Sequence, residues 1–118
     1  MNLVWIFLGG GTGALVRFAI SYYLAAKPFP FGTIVANVLA SLLLGSLYAG
    51  YKENGSETTW FLLAVGFCGS LSTFSTFSLE NFKLLNESNH FLLIMNIIGN
   101  LLLSFIAIAA GFWLTKIR

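Results

Sequence analysis

Six hydroxyl side chains fall within nine residues of one apolar stretch: Ser70, Ser72, Thr73, Ser75, Thr76 and Ser78, in the string Gly66-Phe67-Cys68-Gly69-Ser70-Leu71-Ser72-Thr73-Phe74-Ser75-Thr76-Phe77-Ser78. Phe74 and Phe77 are embedded in that run, three residues apart, so a helix puts them roughly on one face. An aromatic ring has a negative face and a positive edge. Ring edges flanked by hydroxyl donors suit a small anion, and because each contact is weak the ion can enter and still leave. Catalysis is a poor fit. His90 lies in a loop, no Lys or carboxylate sits within the hydroxyl run, and Glu80 has no second carboxylate with which to form an acid/base pair. No nucleotide motif is present to power a pump, and Cys68 reads as a small packing residue, not a redox thiol.

Amides and hydroxyls also recur every fourth residue elsewhere. Thr33, Asn37, Ser41, Gly45 and Ala49 form one helical stripe, and Asn96, Asn100 and Ser104 form another beside Gly99. Small-x-x-x-small faces drive helix association in membranes, which accounts for most of the first stripe. Asn37 has two readings of equal weight: interhelical glue, or an amide that donates two hydrogen bonds to an anion. The Asn96–Ser104 stripe is likewise interhelical hydrogen bonding or one wall of a polar track. Arg17 follows Gly9, Gly10, Gly11, Gly13 and Ala14, whose small side chains let another backbone approach. It either snorkels or pairs with helix-end carbonyls, or sits as a positive charge at a vestibule that attracts anions. Gly9 to Ala14 also fits G-x-G-x-x-A, but the first acidic residue is Glu53 and the flanks are not a βαβ unit, so a dinucleotide site is excluded.

The elements that position these groups follow from composition. Of 118 residues, 58% are hydrophobic and 8% charged, where soluble domains carry about 25% charged residues. One His and one Cys leave no His/Cys metal site and no internal disulfide. A dispersed net charge of +2 makes no nucleic-acid surface. The solvent of this chain is lipid. A span needs about 20 apolar residues to cross about 30 Å of hydrocarbon, and four stretches qualify, at about residues 3–26, 31–51, 59–82 and 91–115. The connections Lys27-Pro28-Phe29-Pro30, Lys52 to Glu57 and Lys83 to His90 are short and polar, so neighbouring helices are antiparallel. The expected fold is all-α integral membrane: a single four-helix transmembrane domain over residues 1–118. The glycines and hydroxyls of the third span predict a break near the midplane, since freed backbone groups there must be buried in protein or line a cavity. The first span is not expected to be a cleaved signal, because no Lys or Arg precedes its apolar run.

Orientation is close to balanced. Lys52, Lys116 and Arg118 fall on one side; Lys27, Lys83 and, if it snorkels that way, Arg17 fall on the other. Either a partner or insertion machinery rescues a weak bias, or copies insert both ways and pair as an antiparallel dimer.

At this point the motifs support a resemblance. Gly9-Gly10 through Arg17, Gly32-Thr33 with Asn37, Gly66-Phe67-Cys68-Gly69, and Thr73-Phe74-Ser75-Thr76-Phe77-Ser78 are similar to the Fluc (CrcB) fluoride channel family over essentially the whole chain. The resemblance implies a passive fluoride channel of the cell membrane, built as an antiparallel dual-topology homodimer with two pathways, although some relatives are heterodimers. It implies that Phe74 and Phe77 line the pathway, that Asn37 faces the pore, and that Ser75, Thr76, Glu80, Asn100 and Ser104 belong to a polar track. It further implies a structural sodium ion at the dimer centre held by the backbone carbonyls of Gly69 and Ser72, and it matches Arg17 to the family's vestibule arginine. Ser70 stands where Gly is frequent and Ser72 where Thr is frequent; carbonyl ligation survives either change. Asn96 and Asn100 fall where the family varies. The competing functions are a small dual-topology drug or cation transporter, which is expected to carry an acid in its first helix where this chain has Arg17, and a non-conducting membrane scaffold.

Overall fold

The computed structural model describes residues 2–25 and 28–117. Lys27 and Arg118, two of the basic residues counted for orientation, lie outside the described residues, as do Met1 and Ala26. Helix α1 covers Asn2–Tyr23 and α2 covers Phe31–Asn54. The third span begins as a helical run over residues 57–71, here α3, whose central part Trp60–Cys68 is wound with π-type hydrogen bonds. It resumes as α4, Ser75–Asn86, and α5 covers His90–Ile117. Among the described residues four helical segments are long and apolar enough to cross a membrane: Asn2–Tyr23, Phe31–Asn54, Glu57–Asn86 and His90–Ile117. The last three run past the apolar stretches that predict them, because a helix can carry polar residues out of the hydrocarbon without losing its backbone bonds.

Packing follows the small residues. The helices associate chiefly as two pairs, α1 with α3 and α2 with α5. A side chain at Gly9 would collide with the Leu62 carbonyl, one at Gly13 with the Phe67 carbonyl, and one at Gly66 would come within 2.8 Å of the Ile6 carbonyl. In the other pair Gly45 faces the Ile108 carbonyl and Gly111 the Leu42 carbonyl at similarly close range. In the first pair these contacts advance in the same direction along both helices, and in the second the hydrogen bonds Asn37–Asn100 and Ser46–Gly111 do so, so α1 runs parallel to α3 and α2 to α5, as four alternating spans require. Ala36, Ala40, Cys68 and Leu71 form the buried core between the pairs. At the C-terminal ends of α2 and α5, Lys52 lies 5.7 Å from the centre of the Tyr48 ring and Lys116 5.5 Å from that of Phe112. Those placements put cations at the negative helix ends and over aromatic faces.

Helix α4 makes its main contacts with α5. An interruption separates it from α3.

Candidate functional site

The site begins at that interruption. Helix α3 ends at Leu71, and Ser72 is extended, with φ −76° and ψ 154°. The Ser72 N–H and hydroxyl both donate to the Cys68 carbonyl, at 3.0 and 2.8 Å. The next N–H, that of Thr73, leaves the helical pattern and donates to Asn37 Oδ1 at 2.8 Å. A continuous helix would direct it to the Gly69 carbonyl. The Thr76 N–H, whose helical acceptor would be the Ser72 carbonyl, donates to the Thr73 hydroxyl at 3.2 Å. The carbonyls of Gly69 and Ser72 have thus lost their regular donors to side-chain acceptors. Between them, the Ser70 carbonyl accepts a hydrogen bond from Arg17 Nε at 3.0 Å. Of the two readings of Arg17, pairing with helix-end carbonyls is the one the contact matches.

Beside the break, α2, α4 and α5 frame an open cavity of about 420 Å³. Its polar lining is Asn37, Ser41, Ser72, Thr73, Asn100 and Ser104; its apolar lining is Phe74, Phe77, Leu101, Phe105 and Ile108. No charged side chain is among these residues. The Phe74 and Phe77 ring centres are 5.7 Å apart with planes tilted by 49°. Phe77 is 8% exposed, whereas Phe74 is 77% exposed and projects from the chain. Asn37 Nδ2 donates to Asn100 Oδ1 at 2.9 Å and faces the Thr73 carbonyl at 3.5 Å. Asn37 therefore ties α2 to the break and to α5 at once, as the interhelical reading expects, and it also lines the cavity.

Of the eight residues assigned to the pathway in sequence, five meet here, Phe74, Phe77, Asn37, Asn100 and Ser104, together with Ser72, singled out for its carbonyl. Three do not line this cavity. The Ser75 hydroxyl is exposed, 3.4 Å from that of Thr73, and Thr76 is half-buried in the first turn of α4. Glu80 stands one turn farther along α4, where it accepts the Thr33 hydroxyl at 2.5 Å and borders a separate cavity of about 140 Å³ with Pro28, Pro30 and Lys83. Among the described residues its Oε1 is buried without a hydrogen-bond partner. Asn96 is completely buried and bonds to Asn81 and Asn100, which makes it interhelical rather than a cavity wall. Ser41 and Thr73 line the cavity but were not singled out as site residues. The four-residue spacing from Asn37 was the signal for Ser41; nothing local distinguishes Thr73 from the other hydroxyls around it.

Residues 4–112 match the family described as CrcB-like protein, Camphor Resistance (CrcB). The chain belongs to the CrcB family. A Pyrococcus abyssi relative is 46% identical over 123 aligned residues, covering 98% of this chain and 99% of its own length. A Pyrococcus horikoshii relative is 45% identical, with 94% and 93% covered, and one from Coxiella burnetii is 40% identical, with 97% and 94% covered. All three carry the name fluoride-specific ion channel FluC, a channel and not an enzyme. CrcB membership and four membrane-length apolar helices make this a multi-pass protein of the cell membrane.

Proposed function

We propose that the protein is a passive, fluoride-selective channel that lets fluoride leave the cell and lowers its cytoplasmic concentration. The observation that carries this is the cavity at the break: two amides, four hydroxyls and three phenylalanine rings, with no charged side chain among the lining residues. Fluoride holds its water strongly, so a path that admits it must substitute several closely spaced donors for that water. A full positive charge would hold the ion too long; weak contacts in series let it pass.

The working unit is an antiparallel homodimer with two pathways. Phe74, 77% exposed in the single chain, and the open side of the cavity are the surfaces that a second copy covers. Ser75, Thr76 and Glu80 continue the polar route along α4 beyond the aromatic pair. A structural sodium ion would be held by the Gly69 and Ser72 carbonyls, hard oxygens suited to a hard cation. The displaced Thr73 and Thr76 N–H groups support that assignment, since they leave both carbonyls without regular helical donors. When bound, the ion would supply a fixed positive charge at the break.

Purified protein reconstituted in liposomes should release fluoride passively and retain chloride. Phe74→Ile, which removes a cavity-lining ring, should slow fluoride efflux about tenfold, equivalent to about 1.4 kcal/mol. Absence of fluoride efflux from well-folded protein contradicts the function, and equal chloride efflux contradicts the selectivity.

A further inference from the structure

Four asparagine side chains form a chain of hydrogen bonds, and one backbone group sets its direction. The Thr73 N–H can only donate, so the Asn37 amide must turn Oδ1 toward it, at 2.8 Å, and Nδ2 toward Asn100. Asn37 Nδ2 donates to Asn100 Oδ1 at 2.9 Å. With its oxygen committed, Asn100 turns Nδ2 to Asn96, donating to Oδ1 and to the main-chain carbonyl, both at 2.9 Å. Asn96 Nδ2 then donates to Asn81 Oδ1 at 2.8 Å. Side-chain amide orientation is ordinarily ambiguous in a structure. Here the acceptor-to-donor order propagates from α2 through α5 to α4 without a choice at any step.

The same order decides which amide hydrogens are available to an ion. Asn100 lines the cavity, but its nitrogen serves two acceptors and its oxygen serves Asn37. Asn37 Nδ2 has two hydrogens. One is held by Asn100, and the other faces the Thr73 carbonyl at 3.5 Å, the limit of a hydrogen bond. That hydrogen loses little by turning to an anion.

We propose that Asn81, Asn96 and Asn100 are positioning residues: their relay holds the Asn37 amide with one N–H poised toward the cavity, and Asn37 is the only member that donates to the permeating anion. The proposal rests on the channel function above. Neither Asn81 nor Asn96 lines the cavity, so their connection to an ion there runs through Asn100 and Asn37; Asn96 also lies against the Glu80 carboxylate. Polarity makes them unequal to substitution. Asn81 contributes an acceptor alone, which a carboxylate also supplies.

Fluoride efflux from liposomes is measured for wild type, Asn81→Asp, Asn81→Leu and Asn96→Leu, each normalised to the amount of folded protein. Asn81→Asp should stay within about twofold of wild type, while both leucine variants fall about tenfold as Asn37 loses its fixed orientation. A second measurement needs no variant to fold. Wild-type protein with nitrogen-labelled asparagine is titrated with fluoride, and the side-chain amide resonance of Asn37 should shift while that of Asn100 stays in place. Wild-type flux in both leucine variants, loss of flux in Asn81→Asp equal to that in Asn81→Leu, or an Asn100 resonance that moves as far as that of Asn37 each overturns the relay alone. A wild-type protein that passes no fluoride and shifts neither resonance overturns the relay and the channel function together.

Discussion

Thr73 illustrates how much can rest on a residue whose type is unremarkable. Its N–H orients the Asn37 amide, and its hydroxyl accepts the Thr76 N–H, as an N-cap side chain does at the start of a helix. Thr73→Val keeps the shape and removes the cap, which should lower stability by about 1 kcal/mol, while Thr73→Ser keeps the hydroxyl and stays near wild type. Thermal denaturation in detergent, read by gel filtration, separates the two; identical melting of the Val and Ser variants contradicts a capping role. Phe74 and Phe77 were legible beforehand because aromatic rings inside a hydroxyl run are chemically unusual. Thr73 was not, because a cap is defined by where the helix restarts, and any hydroxyl of that run could have supplied it.

Among the elements, the glycines of α1 separate packing from mere exposure. A Cβ at Gly9 would strike the Leu62 carbonyl and approach the Phe67 nitrogen to 2.9 Å, and backbone cannot rotate away as a side chain can. A Cβ at Gly11 meets nothing within 4 Å. Gly9→Ala should therefore cost about 1–3 kcal/mol by forcing α1 off α3, whereas Gly11→Ala should be neutral or gain up to about 1 kcal/mol of helix propensity. Unfolding midpoints of the two variants test this, and equal midpoints contradict the close α1–α3 contact. The sequence marks this face as one that admits another backbone, since only small residues occupy it. Which backbone it admits is a matter of how the helices dock.

For the whole molecule, the antiparallel dimer proposed above requires insertion in both directions, which a near-even division of basic residues permits. Ser56 and Glu87 are exposed and lie in the second and third connections, on opposite sides of the membrane. Single-cysteine variants Ser56→Cys and Glu87→Cys should each be labelled in part by an impermeant reagent added outside intact cells. Cys68 is buried and should stay unlabelled. Labelling of one variant from outside only, with the other wholly protected, contradicts dual topology. The open cavity at the break is consistent with that arrangement, because a lipid-facing polar groove is costly unless another protein surface covers it.

Four spans, the short connections and the interruption of the third span are properties of local composition. Hydropathy is counted residue by residue, and glycines crowded with hydroxyls weaken a helix wherever it docks. Residue pairing is different. Asn37 with Thr73 and Asn100, Thr33 with Glu80, and Arg17 with Ser70 join positions 36 to 63 residues apart. Their meeting depends on α1 seating against α3 and α2 against α5 at glycine contacts that leave no slack. The sequence thus determined that polar groups of these types would lie within the membrane. Only the packed helices decided that Asn37, Asn100 and Ser104 share one cavity while Glu80 pairs with Thr33 apart from it, because a hydrogen bond requires its partners to be placed within a fraction of an ångström.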